Sequence, residues 1–206
     1  MKITKVAPWL ISGPRPYLET AEDSTPAERE YVFVEVSTDE GITGWGEITG
    51  TRPTANRAVC AVVRHLNDFL VGEDPTHIER IWHKIFRTFT YMGSRGASTN
   101  AISGIDIALW DIRGKIQGLP IYEFLGGPVR DSVPVYCHPE DGSTVELSAQ
   151  HARAIVETGQ TAFKVDPWYP HHPEETDGYL TGKLAPKAEN HGVEVVAAMR
   201  DAVGPD

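Results

Sequence analysis

The sequence predicts an α+β domain at the amino terminus, followed by a region in which short strands and helices alternate. Three observations predict this division. The first fifty residues contain alternating apolar and polar side chains, as antiparallel strands do. Residues 52–117 place apolar side chains at helical spacing. After residue 131, short apolar runs alternate with helical patterns, which is typical of parallel βα units.

The amino-terminal strands are predicted at 2–11, 31–38 and 42–49. The segment 39–41, Asp-Glu-Gly, reads as a hairpin turn between the second and third strands. A polar loop rich in proline and glutamate, roughly residues 13–30, joins the first two strands. These segments predict a small three-stranded antiparallel sheet with one long loop.

Three helices are predicted next, and together they form a helical bundle against the sheet. The first covers residues 52–70, and the second opens with Asp74 as N-cap and Pro75 at the first helical position. The third runs from about Ser98 to residue 117 and ends at Gly118. Apolar side chains on the second and third helices are predicted to be buried, namely Ile78, Ile81, Trp82, Ile85, Phe89, Ile102, Ile105, Leu109, Ile112 and Ile116.

The second region contains buried-strand patterns at 132–138 and 161–166, with helical patterns at 143–159 and 184–204. A polar insertion precedes the last helix. It includes "HHPEE" at 171–175, which mixes groups able to bind metals but has no ligand spacing of a known metal motif.

Composition excludes several classes of partner. The net charge is −10 and no cluster of five Lys or Arg residues occurs, so nucleic acid and anionic membranes are not expected partners. No window approaches 18 apolar residues, and we expect a cytoplasmic protein. Cys60 lies in a helical pattern and Cys137 in a strand pattern, which predicts two reduced, buried thiols rather than a disulfide or a metal pair.

Two motifs resemble one family. "AISGIDIALWDIRGKIQGLPIYEFLGG" at 101–127 and "DEGITGWGE" at 39–47 resemble the mandelate racemase and muconate-lactonising branch of the enolase superfamily. Phe124 is a departure, because leucine is usual there. The resemblance implies an α+β capping domain over residues 1–125, a three-stranded sheet plus helical bundle. Over residues 126–206 it implies the first βα units of a truncated (β/α) TIM-type barrel, because it covers about the first half of a family member.

The resemblance also implies a reaction. "FKVDP" at 163–167 is similar to the matching strand of galactonate- and gluconate-type acid-sugar dehydratases. Family chemistry removes the proton next to a carboxylate, giving an enediolate that Mg²⁺ stabilises, and a dehydratase then loses water. The substrate would be a small-molecule sugar acid, and family members are commonly homo-oligomers. The metal ligands and catalytic bases are expected beyond Asp206, so this chain alone is expected to be inactive and to bind no metal tightly.

Two alternatives stay open. A racemase or epimerase of the same superfamily would reprotonate the enediolate instead of losing water. A non-catalytic remnant would act only as an oligomerisation or interaction module.

The resemblance places Lys164 and Asp166 at the end of the second barrel strand, where alternation points both side chains the same way. Family members often carry two lysines here, the second acting as a base, whereas this chain has Lys-x-Asp. An aspartate partner favours the ammonium form of Lys164, which suits binding of a substrate carboxylate. The alternatives are a lysine whose head reaches solvent and an aspartate that caps the turn before Pro167.

Substrate-binding candidates also lie in the two loops that resemble the family's capping loops and at the first strand end. They are Arg15, Tyr17, Arg52, Thr54 and His138. Solvated loop positions, and for His138 a role supporting the site without touching substrate, are the alternatives. Asp106 and Asp111 lie on the third helix, where we expect a structural role.

Overall fold

A computed structural model describes residues 1–14, 28–48, 53–93, 95–139, 144–167 and 185–205. For residues 14, 28, 29, 53 and 54 it describes only the backbone. The chain divides into two compact units, Met1–Val129 and Arg130–Asp206. No helix among the described residues is both long and apolar enough to cross a membrane.

The amino-terminal unit contains the predicted three-stranded antiparallel sheet. Its strands are β1 (Ile3–Pro14), β2 (Glu28–Thr38) and β3 (Thr43–Ile48), in the order β1-β2-β3. The predicted hairpin turn is confirmed, since Gly41 has a φ of 80° and its N–H donates to the carbonyl of Thr38 at 3.2 Å. Only glycine adopts this backbone conformation without strain.

The described residues that follow in this unit form four helices: α1 (Pro53–Leu70), α2 (Ile78–Thr88), α3 (Ala97–Gln117) and the short α4 (Ile121–Phe124). The predicted end of α3 is confirmed, because Gly118 is left-handed with a φ of 65°. The predicted N-cap of α2 is wrong, and so is the placement of Pro75 at its first helical position, because the helix begins at Ile78. His77 takes that position without a side-chain cap, whereas Asp74 accepts hydrogen bonds from the N–H of Thr76 at 2.9 Å and from its hydroxyl at 2.7 Å. Asp74 thus closes a short turn that precedes the helix in the chain.

The core of this unit lies between the sheet and the helices. β2 contributes Val32, Val34 and Val36, all fully buried. Most of the predicted helical positions are buried as expected, but Trp82 and Ile116 are only partly buried at the edge of the core. Buried helical residues of this core include Val59, Val63, Leu66, Leu70, Ile81, Ile85, Ile105, Leu109 and Ile112.

Strand β3 and helix α3 approach each other more closely than side chains would allow. A Cβ placed on Gly46 would lie well under 3.0 Å from the carbonyl oxygen of Gly104, and one on Gly44 would overlap the carbonyl of Ala108. The "GWG" segment is therefore a packing motif, in which the two glycines let the strand lie on the helix backbone.

The described residues of the carboxyl-terminal unit form two helices, α5 (Val145–Glu157) and α6 (Pro186–Val203). Thr144 caps α5 by accepting a hydrogen bond from the N–H of Leu147 at 3.1 Å. The small core of the unit is formed by Ala152, Val195 and Met199. Partly buried apolar side chains pack against it, namely Val145, Phe163, Val165 and Val203.

The two strands predicted in this unit form only a single parallel bridge, between Cys137 and Phe163. In the first of them Val133, Val135 and Tyr136 are 70%, 66% and 62% exposed. Parallel strands are stabilised by neighbouring strands and by helices on both faces, which these side chains lack within the described residues. Cys137 is consequently half-buried rather than buried as predicted, whereas Cys60 is buried, and both are free thiols.

Candidate active-site face of the carboxyl-terminal unit

The parallel bridge fixes which residues of the two segments are neighbours. The N–H of Cys137 donates to the carbonyl of Ala162 at 3.2 Å, and the N–H of Lys164 donates to the carbonyl of Cys137 at 2.9 Å. Cys137 and Phe163 therefore lie opposite each other, and the next pair along is His138 and Lys164. Adjacent strands lie about 4.8 Å apart, so these two residues are direct neighbours.

Alternation along the second segment determines which way these side chains point. Phe163 and Val165 pack against the core formed by α5 and α6, while Lys164 and Asp166 between and after them are exposed. Residues opposite each other in a bridge share a face, so His138 lies on the face of Lys164. His138, Lys164 and Asp166 therefore occupy one face, turned away from the helices, which we call the strand-end face.

The ring of His138 contacts the carbonyl oxygen of the next residue. Its Nδ1 lies 3.1 Å from the carbonyl of Pro139. A carbonyl oxygen only accepts hydrogen bonds, so Nδ1 is the donor in this contact, and in the tautomer whose single proton is on Nδ1 the Nε2 atom is an acceptor. The strand-end face thus offers an acceptor beside a primary ammonium group.

The predicted pairing of Lys164 with Asp166 is not seen. Both side chains belong to the described part of the chain, and no ion pair within 4.0 Å joins them. The two side chains share a face but do not form an ion pair with each other. An exposed ammonium in this arrangement is suited to an anionic group such as a carboxylate.

The structure does not describe the side chains of the remaining predicted site residues. Arg15, Tyr17 and Arg52 lie outside the described residues, as does the segment 171–175. Thr54 lies in the first turn of α1, but its side chain is outside what the structure describes. Three of the seven predicted positions share one face, and the functional roles of all seven stay predictions.

Magnesium does not fit the described residues. Among them, no group of three His, Cys, Asp or Glu side chains is close enough to hold a metal ion. Asp106, the half-buried carboxyl of α3, lacks such neighbours. Burial raises the pKa of Asp106, and the nearby charge of Glu79 adds to this effect.

Sequence reasoning missed a cluster on the outer side of the sheet. Glu35 accepts hydrogen bonds from Lys5 Nζ at 3.1 Å, from Trp9 Nε1 at 2.7 Å and from the Ser37 hydroxyl at 2.8 Å. Burial alone would raise the pKa of Glu35, but these three hydrogen bonds lower it below its usual value. The available signal was the strand period of two, which places Trp9 and Ile11 on the solvent side.

Residues 11–126 match the family described as mandelate racemase / muconate lactonizing enzyme, N-terminal domain. The matched segment contains β2, β3 and all four helices of the amino-terminal unit. The chain belongs to the mandelate racemase / muconate lactonizing enzyme family.

Relatives extend the similarity beyond that domain. The chain is 37% identical to a D-galactonate dehydratase of Variovorax paradoxus over 84% of its own length and 42% of the relative. It is 35% identical to a D-galactarolactone cycloisomerase of Agrobacterium fabrum over 100% of its length and 50% of the relative. A solved structure of an enolase superfamily member from Salmonella Typhimurium matches with a TM-score of 0.80 and 35% identity, covering 100% of this chain and 52% of that one. The chain thus spans about half the length of these members of the mandelate racemase / muconate lactonizing enzyme family.

Proposed function

We propose that this chain supplies the capping domain and the first two strand ends of an acid-sugar dehydratase that acts on an aldonate. One observation carries the proposal. The parallel bridge makes His138 and Lys164 neighbours on a face turned away from the helices. Barrel enzymes hold their substrates at the carboxyl ends of their strands, which is where the family resemblance assigns these two residues. The dehydratase among the relatives supports this reaction class over others.

Lys164 would bind the substrate carboxylate. Its ammonium group is exposed, and Lys164 follows a half-buried strand residue in the chain. Within the described residues it forms no ion pair with Asp166. A charge-assisted hydrogen bond from an ammonium to a carboxylate is about twice as strong as a neutral one. This contact would hold the carbon next to the carboxylate at a fixed place, where a base removes its proton.

His138 and Asp166 would bind substrate hydroxyl groups. Nε2 of His138 accepts a hydrogen bond when Nδ1 carries the proton, as the contact with Pro139 indicates. The carboxylate of Asp166 only accepts, so hydroxyl donors of a polyol chain suit both groups. Arg15, Tyr17, Arg52 and Thr54 stay as predicted contacts from the capping loops.

The reaction itself would remove the proton next to the carboxylate and expel the hydroxyl on the neighbouring carbon as water, giving a 2-keto-3-deoxy acid. Magnesium supplies charge stabilisation of the enediolate in this superfamily. Since the described residues of this chain hold no group that fits the ion, we derive no step through it.

A second candidate is an isomerisation without loss of water, as in a racemase, epimerase or cycloisomerase. It is favoured by one observation, the match of the whole chain to a D-galactarolactone cycloisomerase. The two differ in the product, because a dehydratase product is lighter than its substrate by one water and an isomerase product is not.

The test begins with the intact mass of the protein produced by its native host, which defines the molecule to assay. That protein is then incubated with Mg²⁺ and a panel of aldonates, and the products are analysed by mass spectrometry. Loss of one water from an aldonate supports the proposal. Products of unchanged mass favour the isomerase. No product and no stabilisation by Mg²⁺ would leave an interaction module, because an ion bound to the folded state raises stability by RT ln(1 + [L]/Kd).

A further inference from the structure

A cleft on the amino-terminal unit contains none of the candidate-site residues and has no role in the proposed reaction. It is lined by residues 76–80 at the start of α2, by Trp110 and Arg113 of α3 and by Phe124 of α4. Its volume is about 650 Å³. Small-molecule sites usually measure about 300–1,000 Å³, so a ligand of modest size fits between the three helices.

The guanidinium of Arg113 has no carboxylate partner within the described part of the chain. The side chain is half-buried, and its Cζ lies 5.5 Å from the centre of the Phe124 ring. Among the described residues it forms neither an ion pair nor a hydrogen bond. The sequence has 29 Asp and Glu residues against 19 Lys and Arg residues, so carboxylates are plentiful. A partly buried charge is normally paired, and the N–H donors of Arg113 are therefore available to a ligand.

Phe124 is the position at which this sequence departs from the family motif, where leucine is usual. A leucine has no π face, whereas a phenylalanine ring attracts a guanidinium that lies over it. A guanidinium in that position keeps the N–H groups in its plane for other acceptors. The Phe124 ring also lies beside that of Trp110, with 6.5 Å between the two centroids. The two rings thus form an apolar wall next to an unpaired cation.

The charges around the cleft favour a ligand with a single negative charge. Arg80 lines the cleft as well, but its Nε lies 3.8 Å from a carboxylate oxygen of Glu73, which compensates its charge in part. Glu79 adds a carboxylate to the lining, which repels a second negative charge on a ligand. A carboxylate carries one charge, whereas a phosphate ester carries about −1.5 to −2 at pH 7. A monocarboxylate therefore fits the one guanidinium of Arg113 better.

We propose that this cleft, which we call the Arg113 cleft, binds an aromatic monocarboxylate. The carboxylate accepts two hydrogen bonds from Arg113, in the bidentate geometry that a guanidinium and a carboxylate share. The ring of the ligand packs against Trp110 and Phe124, and such aromatic pairs contribute more than their buried area alone. An aldonate gains the first contact without the second, which separates this ligand class from the substrate proposed for the strand-end face.

Isothermal titration calorimetry of the 206-residue chain with sodium benzoate tests the proposal. Acetate keeps the charge without the ring, benzyl alcohol keeps the ring without the charge, and phenyl phosphate keeps the ring with more charge. We expect benzoate to bind with a dissociation constant of about 1 mM or below, and acetate and benzyl alcohol to bind at least about tenfold more weakly. Phenyl phosphate should bind no more tightly than benzoate, because Glu79 repels its additional charge.

Two variants of the cleft have two matched controls. Arg113→Gln should weaken benzoate binding about tenfold or more, and Phe124→Leu, which introduces the usual family residue, about three- to tenfold. Arg57→Gln removes the same charge from an exposed position on α1, and Lys164→Gln removes the ammonium of the strand-end face. Neither control should change benzoate binding. Circular dichroism checks that each variant folds, and Phe124→Leu still tests the cleft if Arg113→Gln does not fold.

Several outcomes would overturn the proposal. One is the absence of saturable benzoate binding by the wild-type chain up to about 20 mM. Another is a loss of affinity in Arg57→Gln as large as that in Arg113→Gln, which indicates a general effect of charge. A loss in Lys164→Gln but not in the cleft variants indicates that benzoate binds the strand-end face instead. Acetate that binds as tightly as benzoate also contradicts the proposal, because the two rings then contribute nothing.

Discussion

The carboxylate of Asp111 on α3 accepts a hydrogen bond from the backbone N–H of Trp45 on β3, with 2.8 Å between Oδ2 and the nitrogen. Lys115, one turn further along, donates to the same oxygen at 2.7 Å and to the carbonyl of Thr43 at 2.7 Å. Within the described residues β3 pairs only with β2, and these two side chains satisfy backbone groups on its other edge. The structural role predicted for Asp111 is confirmed, and its partner is the hairpin strand.

Replacing Asp111 should therefore loosen this edge. Asp111→Ala leaves the N–H of Trp45 without its acceptor, and we expect a loss of about 1–3 kcal/mol in the free energy of unfolding, measured by urea denaturation. Asp111→Asn keeps an acceptor oxygen and loses mainly the exposed ion pair with Lys115, worth less than about 1 kcal/mol. Equal losses in the two variants would show that the backbone hydrogen bond is not what stabilises the strand.

The same strand depends on the absence of side chains at two positions. Gly46→Ala would drive a methyl group into the carbonyl of Gly104, and neither backbone can move without disturbing the sheet or α3. We expect a loss of about 3 kcal/mol or more, measured as a fall in the urea midpoint or as failure to fold. Gly13→Ala on β1 is the control, since nothing lies within 4 Å of its new methyl group. Similar behaviour of the two variants would contradict the close-packing explanation.

The sequence predicted the elements whose signals are local. The turn at Gly41 and the helix end at Gly118 both require a positive φ, which a glycine between periodic segments indicates well. The N-cap of α2 was misassigned because Asp74 can close a turn as readily as it can cap a helix. Only the three-dimensional contact with Thr76 distinguishes the two.

The candidate site could be predicted in part, because alternation along one strand is also a local signal. Alternation placed Lys164 and Asp166 on one face, as the packing of Phe163 and Val165 now shows. The proximity of His138 to Lys164 depends on the register of two segments that are distant in the chain, which no local pattern determines. The cluster around Glu35 was missed because its donors come from two strands and meet only in the folded sheet.

Asp106 should make the protein less stable as the pH rises. Burial raises the pKa of this carboxyl in the folded state, so between its unfolded value of about 3.9 and the raised folded value the folded protein binds more protons. The free energy of unfolding then falls with increasing pH across that window. Asp106→Asn removes the effect, so the variant should gain stability relative to wild type between about pH 4 and about pH 7.

The measurement is the difference in urea unfolding free energy between wild type and Asp106→Asn, determined once at about pH 4 and once at about pH 7. The lowered pKa values of Glu73 and Asp74 act in the opposite direction, but they are present in both proteins and cancel in the difference. A pH-independent difference for Asp106→Asn would contradict the assignment.

Lys164 should determine how tightly a sugar acid binds. In the active protein as its host produces it, Lys164→Gln removes the ammonium that we propose contacts the substrate carboxylate. A hydrogen bond to a charged group contributes about 1.5–3 kcal/mol, so we expect KM for the aldonate to rise about 10- to 100-fold. Lys2→Gln, which removes the same charge from an exposed position outside the candidate site, should leave KM unchanged.

A neutral competitor separates carboxylate binding from a general loss of the site. The alditol that corresponds to the substrate has the same hydroxyl groups but no carboxylate, so its inhibition constant should be the same for wild type and for Lys164→Gln. If the substitution weakens binding of the alditol as much as binding of the aldonate, Lys164 supports the shape of the site rather than binding the carboxylate. If neither KM for the aldonate nor the inhibition constant of the alditol changes, Lys164 is a strand-end lysine with its ammonium in solvent.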